Sequence, residues 1–317
     1  MNRSMDEEYN VHLSWAVASG ITCTAALVIN GFIVSVIATD WIKQRPVMAT
    51  DQILTSLGIT RIIYQSVYLL DIFFDKFFIK RHIIYMAIVY FIYEVSFYVG
   101  ICLVNLLTVV FCLKIYNSHN AFFRRLKMMI LQRVVCLIIA YVLIPICYFA
   151  IFVLIAIITL PQNVLNTTYI KEVSETNMYT SLLWDTALFL VYVMSSVLLI
   201  SVLCHHMKRM SCDRAVTGQL DTYYKIIKFS AFSLFSYIFY FVARVTLWLY
   251  LGSLDDVGIH FIMNVFPTLH SVYLIYVTAR LRTCLSAILQ QGTKFWLSCR
   301  RCYPEDGDPV ETITQRL

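Results

Sequence analysis

The side chains best suited to chemistry in this sequence are polar or charged groups that interrupt long apolar stretches. They are Asn30, Arg61, Glu94, Asn105, Asp185, Arg244, His260, Asn264 and His270. Two carboxylates such as Glu94 and Asp185 could act as a general acid and a general base, or could relay protons. These two stand in different apolar stretches and belong to no local catalytic motif. The sequence therefore gives little support to an enzyme.

The histidine pair His205-His206 is the other group that could begin a functional site. A zinc site needs three or four nitrogen, sulfur or carboxylate ligands, and no further ligand stands at a suitable spacing from this pair. The sequence also lacks the H-E-x-x-H zinc motif, the G-x-S-x-G nucleophile motif and a phosphate-binding loop. We therefore predict neither a metal nor another cofactor.

The elements that must position these polar side chains are membrane-spanning helices. Of the 317 residues, 60% are hydrophobic and 14% are charged, whereas a soluble domain has about 25% charged residues. A helix needs about 20 apolar residues to cross a bilayer. Such stretches run over residues 12–39, 50–73, 83–111, 130–160, 179–204, 227–251 and 257–278. The sequence thus predicts an all-α membrane protein, built as a seven-transmembrane-helix bundle.

The distribution of Lys and Arg predicts the orientation of the bundle, because cytoplasmic loops carry an excess of these residues. One side of the predicted membrane carries 18 of them and the other side carries 5. We therefore predict an N-terminus outside and a C-terminus inside. Residues 1–11 form a short extracellular N-terminus, residues 12–278 form the transmembrane domain, and residues 279–317 form a cytoplasmic juxtamembrane segment and tail. The same distribution explains the net charge of +6 without a nucleic-acid partner.

Aromatic residues accompany the polar residues in the predicted outer half of the bundle. A small-molecule site is typically an apolar and aromatic cavity with few polar groups. We predict such a cavity from Tyr90, Tyr93, Glu94, Phe97, Trp184, Asp185, Tyr237, Tyr240, Arg244, His260, Met263 and Asn264. Aromatic belts at the membrane surfaces, or ordinary helix packing, would use the same residue types. Both interpretations stay open at this point.

Several motifs resemble those of the type 2 taste receptors, which are the bitter receptors. The matching segments are NGFI at 30–33, WIK at 41–43, DQIL at 51–54, LGITR at 57–61, LKI at 113–115 and FPTLHSVYLIYVTARL at 266–281. Gly58 and Thr60 stand where the family has Ala and Ser. Tyr93 and Phe97 stand where bitter receptors often carry a Trp and an Asn that touch the ligand. The resemblance covers nearly the whole chain and its motifs concentrate on the predicted cytoplasmic half.

The resemblance implies a plasma-membrane receptor that detects small, bitter compounds and activates a heterotrimeric G protein, with a gustducin-type α subunit expected. It also implies that Arg61 turns inward and hydrogen-bonds Asn30 and the region of His270 and Ser271. A planar guanidinium has five N–H donors, so it can link three helices at once. A network of this kind could act as a switch or as a purely structural clasp.

A basic surface on the predicted cytoplasmic side is where we place the G protein. Its residues are Lys114, Arg124, Arg125, Lys127, His206, Lys208, Arg209 and Lys225. Positive-inside charge explains each of these residues equally well without a partner. On the opposite side, the sequon Asn166-Thr167-Thr168 predicts glycosylation of Asn166. Membrane lipid is the remaining expected partner.

Two alternatives to a bitter receptor stay open. Vomeronasal type 1 pheromone receptors form a related family, but they usually have cysteines in the outer loops, and the predicted outer loops here have none. A small-molecule membrane transporter is often built from inverted repeats, and no internal repeat is visible in the sequence.

Overall fold

In the computed structural model of this chain, the described residues are 2–44, 48–77, 83–115, 121–159, 167–210, 217–249 and 256–302, with some side chains near the helix ends excepted. These residues form nine helices. They are α1 (Asn2–Ile42), α2 (Ala49–Phe77), α3 (Ile83–Ile115), α4 (Ala121–Gln132), α5 (Val134–Thr159), α6 (Thr167–Met210), α7 (Thr217–Leu249), α8 (Asp256–Val277) and α9 (Ala279–Cys302).

Six of the described helices contain an apolar segment long enough to cross a membrane. They are Leu13–Ile42, Ala49–Phe74, Ile88–Phe111, Val134–Ile151, Ser181–His205 and Tyr224–Thr246. Met263–Val277 and Ala279–Gln291 pass the same test only together, as a pair bent by 91°, so the described helices give up to seven spans. The bend falls at residue 278, where the sequence predicts the end of the seventh span. The seven-helix architecture expected from the sequence is therefore confirmed.

Helix α4 is the main departure from the expected pattern, because the sequence analysis placed a polar loop over residues 112–129. Arg124 and Arg125 are exposed on this helix. Ile130 and Leu131 pack against the hydrophobic core of the bundle. A short amphipathic helix of this kind lacks the long apolar run that identifies a membrane span, so the apolar stretches of the sequence do not predict it.

Helix α3 is the centre of the bundle, and its membrane segment is the most buried of the six. It packs against α2, α5 and α6, while α1 packs against α2 and α8, and α7 against α6 and α8. Trp15 meets Phe261 at one end of the bundle, with ring centroids 5.3 Å apart. This end, at which α1 begins, is called the N side. The opposite end, at which α1 ends and α9 begins, is called the C side.

Two buried clusters of different character fill the two halves of the bundle. The C-side half is aliphatic and includes Ile37, Leu57, Leu103, Leu107 and Leu274. The N-side half is aromatic and includes Tyr64, Phe97, Tyr98, Phe149 and Tyr240.

An ion-pair network closes the C side. Arg280 of α9 lies 2.8 Å from Asp40 at the end of α1 and 3.5 Å from Asp51 at the start of α2. These pairs are partly exposed, so each contributes modestly to stability. They fix α9, after its sharp bend, against two other helices.

Gly58 allows α1 and α2 to approach closely. A Cβ atom at Gly58 would lie 2.7 Å from Cγ2 of Val34, which is closer than real Cβ atoms come to a neighbour. Val is branched at Cβ and therefore stiff, so it has little freedom to move away. At Gly31, in contrast, a Cβ would meet nothing within 4 Å.

We expect Gly58→Ala to destabilise the bundle by about 1–3 kcal/mol, the usual cost of overpacking, even though Ala favours helices over Gly. Thermal unfolding of the purified protein measures this effect. Gly31→Ala is the control and should be neutral or stabilising, by up to about 1 kcal/mol. Adding Val34→Ala to Gly58→Ala should restore stability. Equal melting temperatures for Gly58→Ala and Gly31→Ala would contradict the close approach of α1 and α2.

Candidate functional site

A buried ionic cluster joins three helices in the N-side half of the bundle. Arg244 of α7 donates from Nη2 to both carboxylate oxygens of Glu94 on α3, at 3.2 and 2.9 Å. Its Nε donates to Oδ2 of Asp185 on α6 at 3.2 Å. Tyr98 donates its hydroxyl hydrogen to the other oxygen of Asp185. These four residues, named the ionic cluster below, are all buried.

The ionic cluster pairs charges that could not be buried alone. An isolated ionised group inside an apolar environment is very costly, whereas a paired and hydrogen-bonded one is tolerated. Formally, two carboxylates surround one guanidinium, so the cluster carries one more negative charge than positive. Both carboxylates already accept hydrogen bonds from Arg244, which makes this arrangement a link between helices rather than a free acid–base pair.

An aromatic cavity of about 90 Å³ lies on the C side of the ionic cluster. Phe97 separates the two, because its ring lines the cavity and also lies 5.5 Å from the guanidinium carbon of Arg244. Tyr240 lies beside Phe97, with ring centroids 4.9 Å apart. The lining residues are Arg61, Tyr64, Ser96, Phe97, Gly100, Ile101, Val104, Tyr192, Ser233, Ser236, Tyr237, Tyr240, Phe266, Pro267 and His270.

A second polar group, named the polar clasp, lies at the C-side end of this cavity and consists of Asn30, Arg61, His270 and Ser271. Arg61 donates from Nη1 to the Ser271 hydroxyl oxygen at 2.5 Å and from Nη2 to Nδ1 of His270 at 3.1 Å. The Ser271 hydroxyl in turn donates to Oδ1 of Asn30 at 2.9 Å. Helices α1, α2 and α8 are thereby joined near the middle of the bundle.

The route from Arg61 to Asn30 differs in one detail from the direct bond that the resemblance implied. The connection passes through the Ser271 hydroxyl, which accepts from one partner and donates to the other. Asn30 uses its own Nδ2 to donate to the backbone oxygen of Ala26 at 2.8 Å. The role of this arrangement as a switch stays a prediction.

The residues predicted to bind ligand fall into several places in the structure. Phe97, Tyr237 and Tyr240 line the cavity. Glu94, Asp185 and Arg244 belong to the ionic cluster. Ligand binding by these three residues stays a prediction. Tyr93 lies behind the cavity wall, where its hydroxyl is 2.8 Å from that of Tyr64.

The other predicted ligand-binding residues lie outside the cavity lining. Tyr90 is exposed, with 46% of its surface accessible. Trp184 stacks on Tyr148 with ring centroids 5.7 Å apart. Met263 and Asn264 are buried. His260 lies in α8, but its side chain is outside the described part of the structure.

Several lining residues were missed by the sequence analysis, among them Ser233, Ser236, Gly100 and Tyr192. Two of them had a signal in the sequence. Ser233 and Ser236 stand seven and four residues before Tyr240, so a helix places all three on one face. Small residues carry a weaker signal for a binding cavity than aromatic ones do, so the sequence predicts this face only from its aromatic members.

The predicted G-protein surface lies on the C side. Arg124 and Arg125 are exposed on α4, and Lys208 is exposed near the end of α6. Lys127 is half-buried, as is Lys225, which lines a C-side groove of about 260 Å³. The remaining predicted residues lie outside what the structure describes: the side chains of Lys114, His206 and Arg209, and all of Asn166. Binding and glycosylation at these residues therefore stay predictions.

We expect Arg244→Met to destabilise the bundle by about 3–5 kcal/mol, because it leaves two buried carboxylates without their positive counter-charge. The triple variant Arg244→Met, Glu94→Gln, Asp185→Asn should recover most of this loss, because it removes the charges together. The amount of folded receptor at the cell surface and the melting temperature of purified protein are the measurements. Tyr148→Phe is a control outside the cluster. A triple variant no more stable than Arg244→Met would show that the charges do not depend on one another.

Comparison with known proteins identifies one family. The family model described as "Taste receptor protein (TAS2R)" matches residues 8–293. "Taste receptor type 2 member 4" of Gorilla gorilla gorilla is 28% identical over 292 residues, covering 88% of this chain and 97% of the relative. "Taste receptor type 2 member 43" of Papio hamadryas is 25% identical over 274 residues, covering 82% and 88%.

Among solved structures, the crystal structure of squid rhodopsin has a similar arrangement of helices. The TM-score is 0.61, and the alignment covers 94% of this chain and 89% of that chain. Sequence identity is 12%, so this likeness concerns the fold alone.

Proposed function

We propose, from the premise that the chain belongs to the taste receptor (TAS2R) family, that it detects small, bitter compounds in the aromatic cavity and activates a heterotrimeric G protein. Membership of this family, together with the rhodopsin fold, makes the protein a multi-pass chemoreceptor of the plasma membrane and not an enzyme. The ligand, its cavity and the G protein are the proposed parts.

The observation that carries the proposal is that the cavity and the polar clasp share two residues. Arg61 and His270 line the cavity, and they are also the residues through which α2 is hydrogen-bonded to α8. A molecule in the cavity therefore lies against the contacts between helices. It can favour one arrangement of those contacts over another by its differential affinity for the two.

The size of the cavity suggests how a ligand changes the receptor. Small-molecule sites usually have volumes of about 300–1,000 Å³, and the space here is about 90 Å³. An agonist would therefore bind an arrangement in which the walls formed by α3 and α7 are farther apart. The ionic cluster links these helices through Glu94 and Arg244, so it would have to adjust when they separate.

We place the N side outside the cell and the C side in the cytoplasm, with residues 1–11 extracellular, 12–278 in the membrane and 279–317 cytoplasmic. Support comes from the exposed arginines of α4 and from the C-side groove, which Phe111, Lys225 and Arg280 help to line. A G protein with a gustducin-type α subunit would contact this side. Movement of α8 could reach it directly, because α8 runs from the polar clasp to the bend before α9.

The test of the cavity is to fill it. Gly100 lines the cavity, and a Cβ there would come no closer than 4.0 Å to Thr60. We expect Gly100→Leu to occupy the space and raise the agonist concentration for half-maximal response at least about tenfold, which corresponds to about 1.4 kcal/mol of binding free energy. Calcium release is measured in cells that express the receptor with a gustducin-type or promiscuous G protein, using a panel of bitter compounds.

The matched control is Gly20→Leu, because Gly20 lies on α1 with nothing within 4 Å of an added Cβ. It should respond as the wild type does, at equal surface expression. Tyr240→Ala tests the aromatic wall separately. An unchanged dose–response curve in both Gly100→Leu and Tyr240→Ala would move the agonist site elsewhere. Loss of response in Gly20→Leu as well would mean that the assay reports folding.

The basic surface is tested by removing charge from α4. We expect Arg124→Gln with Arg125→Gln to reduce the maximal calcium response, without changing the agonist concentration for half-maximal response, because the two exposed residues lie on α4, which contributes no residue to the cavity lining. Arg133→Gln is the control, since Arg133 is an exposed arginine at the α4–α5 turn. A full response from the double variant would remove α4 from the proposed contact surface.

A further inference from the structure

Arg61 carries a buried positive charge for which the described part of the chain supplies no carboxylate. It lies near the middle of the α2 span and is 8% exposed. Its hydrogen bonds go to Ser271 and His270, which are neutral acceptors. Arg244 has two carboxylates beside it, so the two buried arginines differ in this respect. A guanidinium cannot lose its proton in a protein, and buried charges are normally paired.

Further hydrogen-bond donors face the same cavity. Because a guanidinium has no acceptor, Arg61 must donate to Nδ1 of His270, and the ring hydrogen of His270 must then be on Nε2. This Nε2 is buried and has no hydrogen-bond partner among the described atoms. The Ser236 hydroxyl oxygen is also buried and without a partner there. Arg61, His270 and Ser236 all line the cavity.

The chemistry of these groups selects one class of ligand. A positive charge, an imidazole N–H and a hydroxyl favour an acceptor with negative charge, and they disfavour a cation. A single uncompensated positive charge matches a single negative charge. The volume of about 90 Å³ exceeds the roughly 10–15 Å³ that one water needs by the same kind of measure. It therefore has room for a halide ion or a carboxylate group together with a few waters.

We propose that the floor of the cavity, formed by Arg61, His270 and Ser236, is a binding site for a monoanion. A halide ion could occupy it, as could the carboxylate of an organic acid whose apolar part lies against Phe97 and Tyr240. The occupant neutralises the charge of Arg61 and bridges α2, α7 and α8. The site does not depend on the proposed taste function, because it can be tested on purified receptor without a G protein or an agonist.

The test is the melting temperature of the purified full-length chain in detergent, at constant pH and ionic strength. Sodium gluconate is replaced stepwise by sodium chloride or by sodium acetate; gluconate is the reference because its hydroxylated chain would have to lie against the apolar, aromatic walls of the cavity. A ligand that binds the folded state alone raises the melting temperature with saturation. We expect a rise of roughly 2–5 °C in chloride, in acetate or in both.

Variants locate the effect. Ser236→Ala removes one donor, and we expect it to raise the midpoint anion concentration about tenfold, as does the loss of a hydrogen bond to a charged group. Arg61→Gln should abolish the rise. Ser230→Ala is the control, because Ser230 is buried on the same helix and does not line the cavity. Should Arg61→Gln fail to fold, Ser236→Ala against Ser230→Ala decides the question.

Each outcome has a definite meaning. A rise in chloride alone assigns the site to a halide, and a rise in acetate as well assigns it to carboxylates in general. Equal melting temperatures in all three salts overturn the proposal. A rise that persists unchanged in Ser236→Ala overturns the placement at this floor, since it would come from an anion bound elsewhere.

Discussion

A charged side chain inside an apolar helix bundle has no bulk water around it, and this constraint determines how the helices are held together. Arg244 is buried because Glu94 and Asp185 reach it from two other helices. Arg61 can be buried because Ser271 and His270, both on α8, accept its hydrogen bonds. Each buried charge therefore requires particular neighbours. The contacts of Arg244 fix α3, α6 and α7 relative to one another, and those of Arg61 fix α1, α2 and α8.

The two polar levels also determine where the bundle can be hollow. Aliphatic side chains dominate the C-side half, whereas the aromatic residues between the ionic cluster and the polar clasp leave space beside Phe97 and Tyr240. One helix, α8, continues from this space to the C side. It carries His270 and Ser271 and ends at the bend before Arg280, which is paired with Asp40 and Asp51. A displacement of α8 would therefore act on the polar clasp and on the ion pairs of Arg280.

The sequence predicts the fold well and the site in part. Long apolar stretches locate the spans, since a bilayer demands them, while amphipathic α4 has no such stretch. Depth within a span predicts that Glu94, Asp185 and Arg244 turn inward. Their pairing could not be predicted, because Arg244 and Glu94 are 150 residues apart and no local pattern specifies how helices are rotated. Ser233 and Ser236 were predictable in principle, since they share a helical face with Tyr240.

The buried charges make the two ends of the cavity electrostatically different. The ionic cluster, on the N side of Phe97, formally has one negative charge in excess. Arg61, at the other end, has one positive charge in excess among the described residues. Formal charges of opposite sign thus lie at the two ends of the cavity, and a low dielectric strengthens the field between them. A ligand in the proposed site would meet potentials of opposite sign at its two ends, so its own charges would orient it. Shape complementarity with the aromatic walls alone would leave that orientation undetermined.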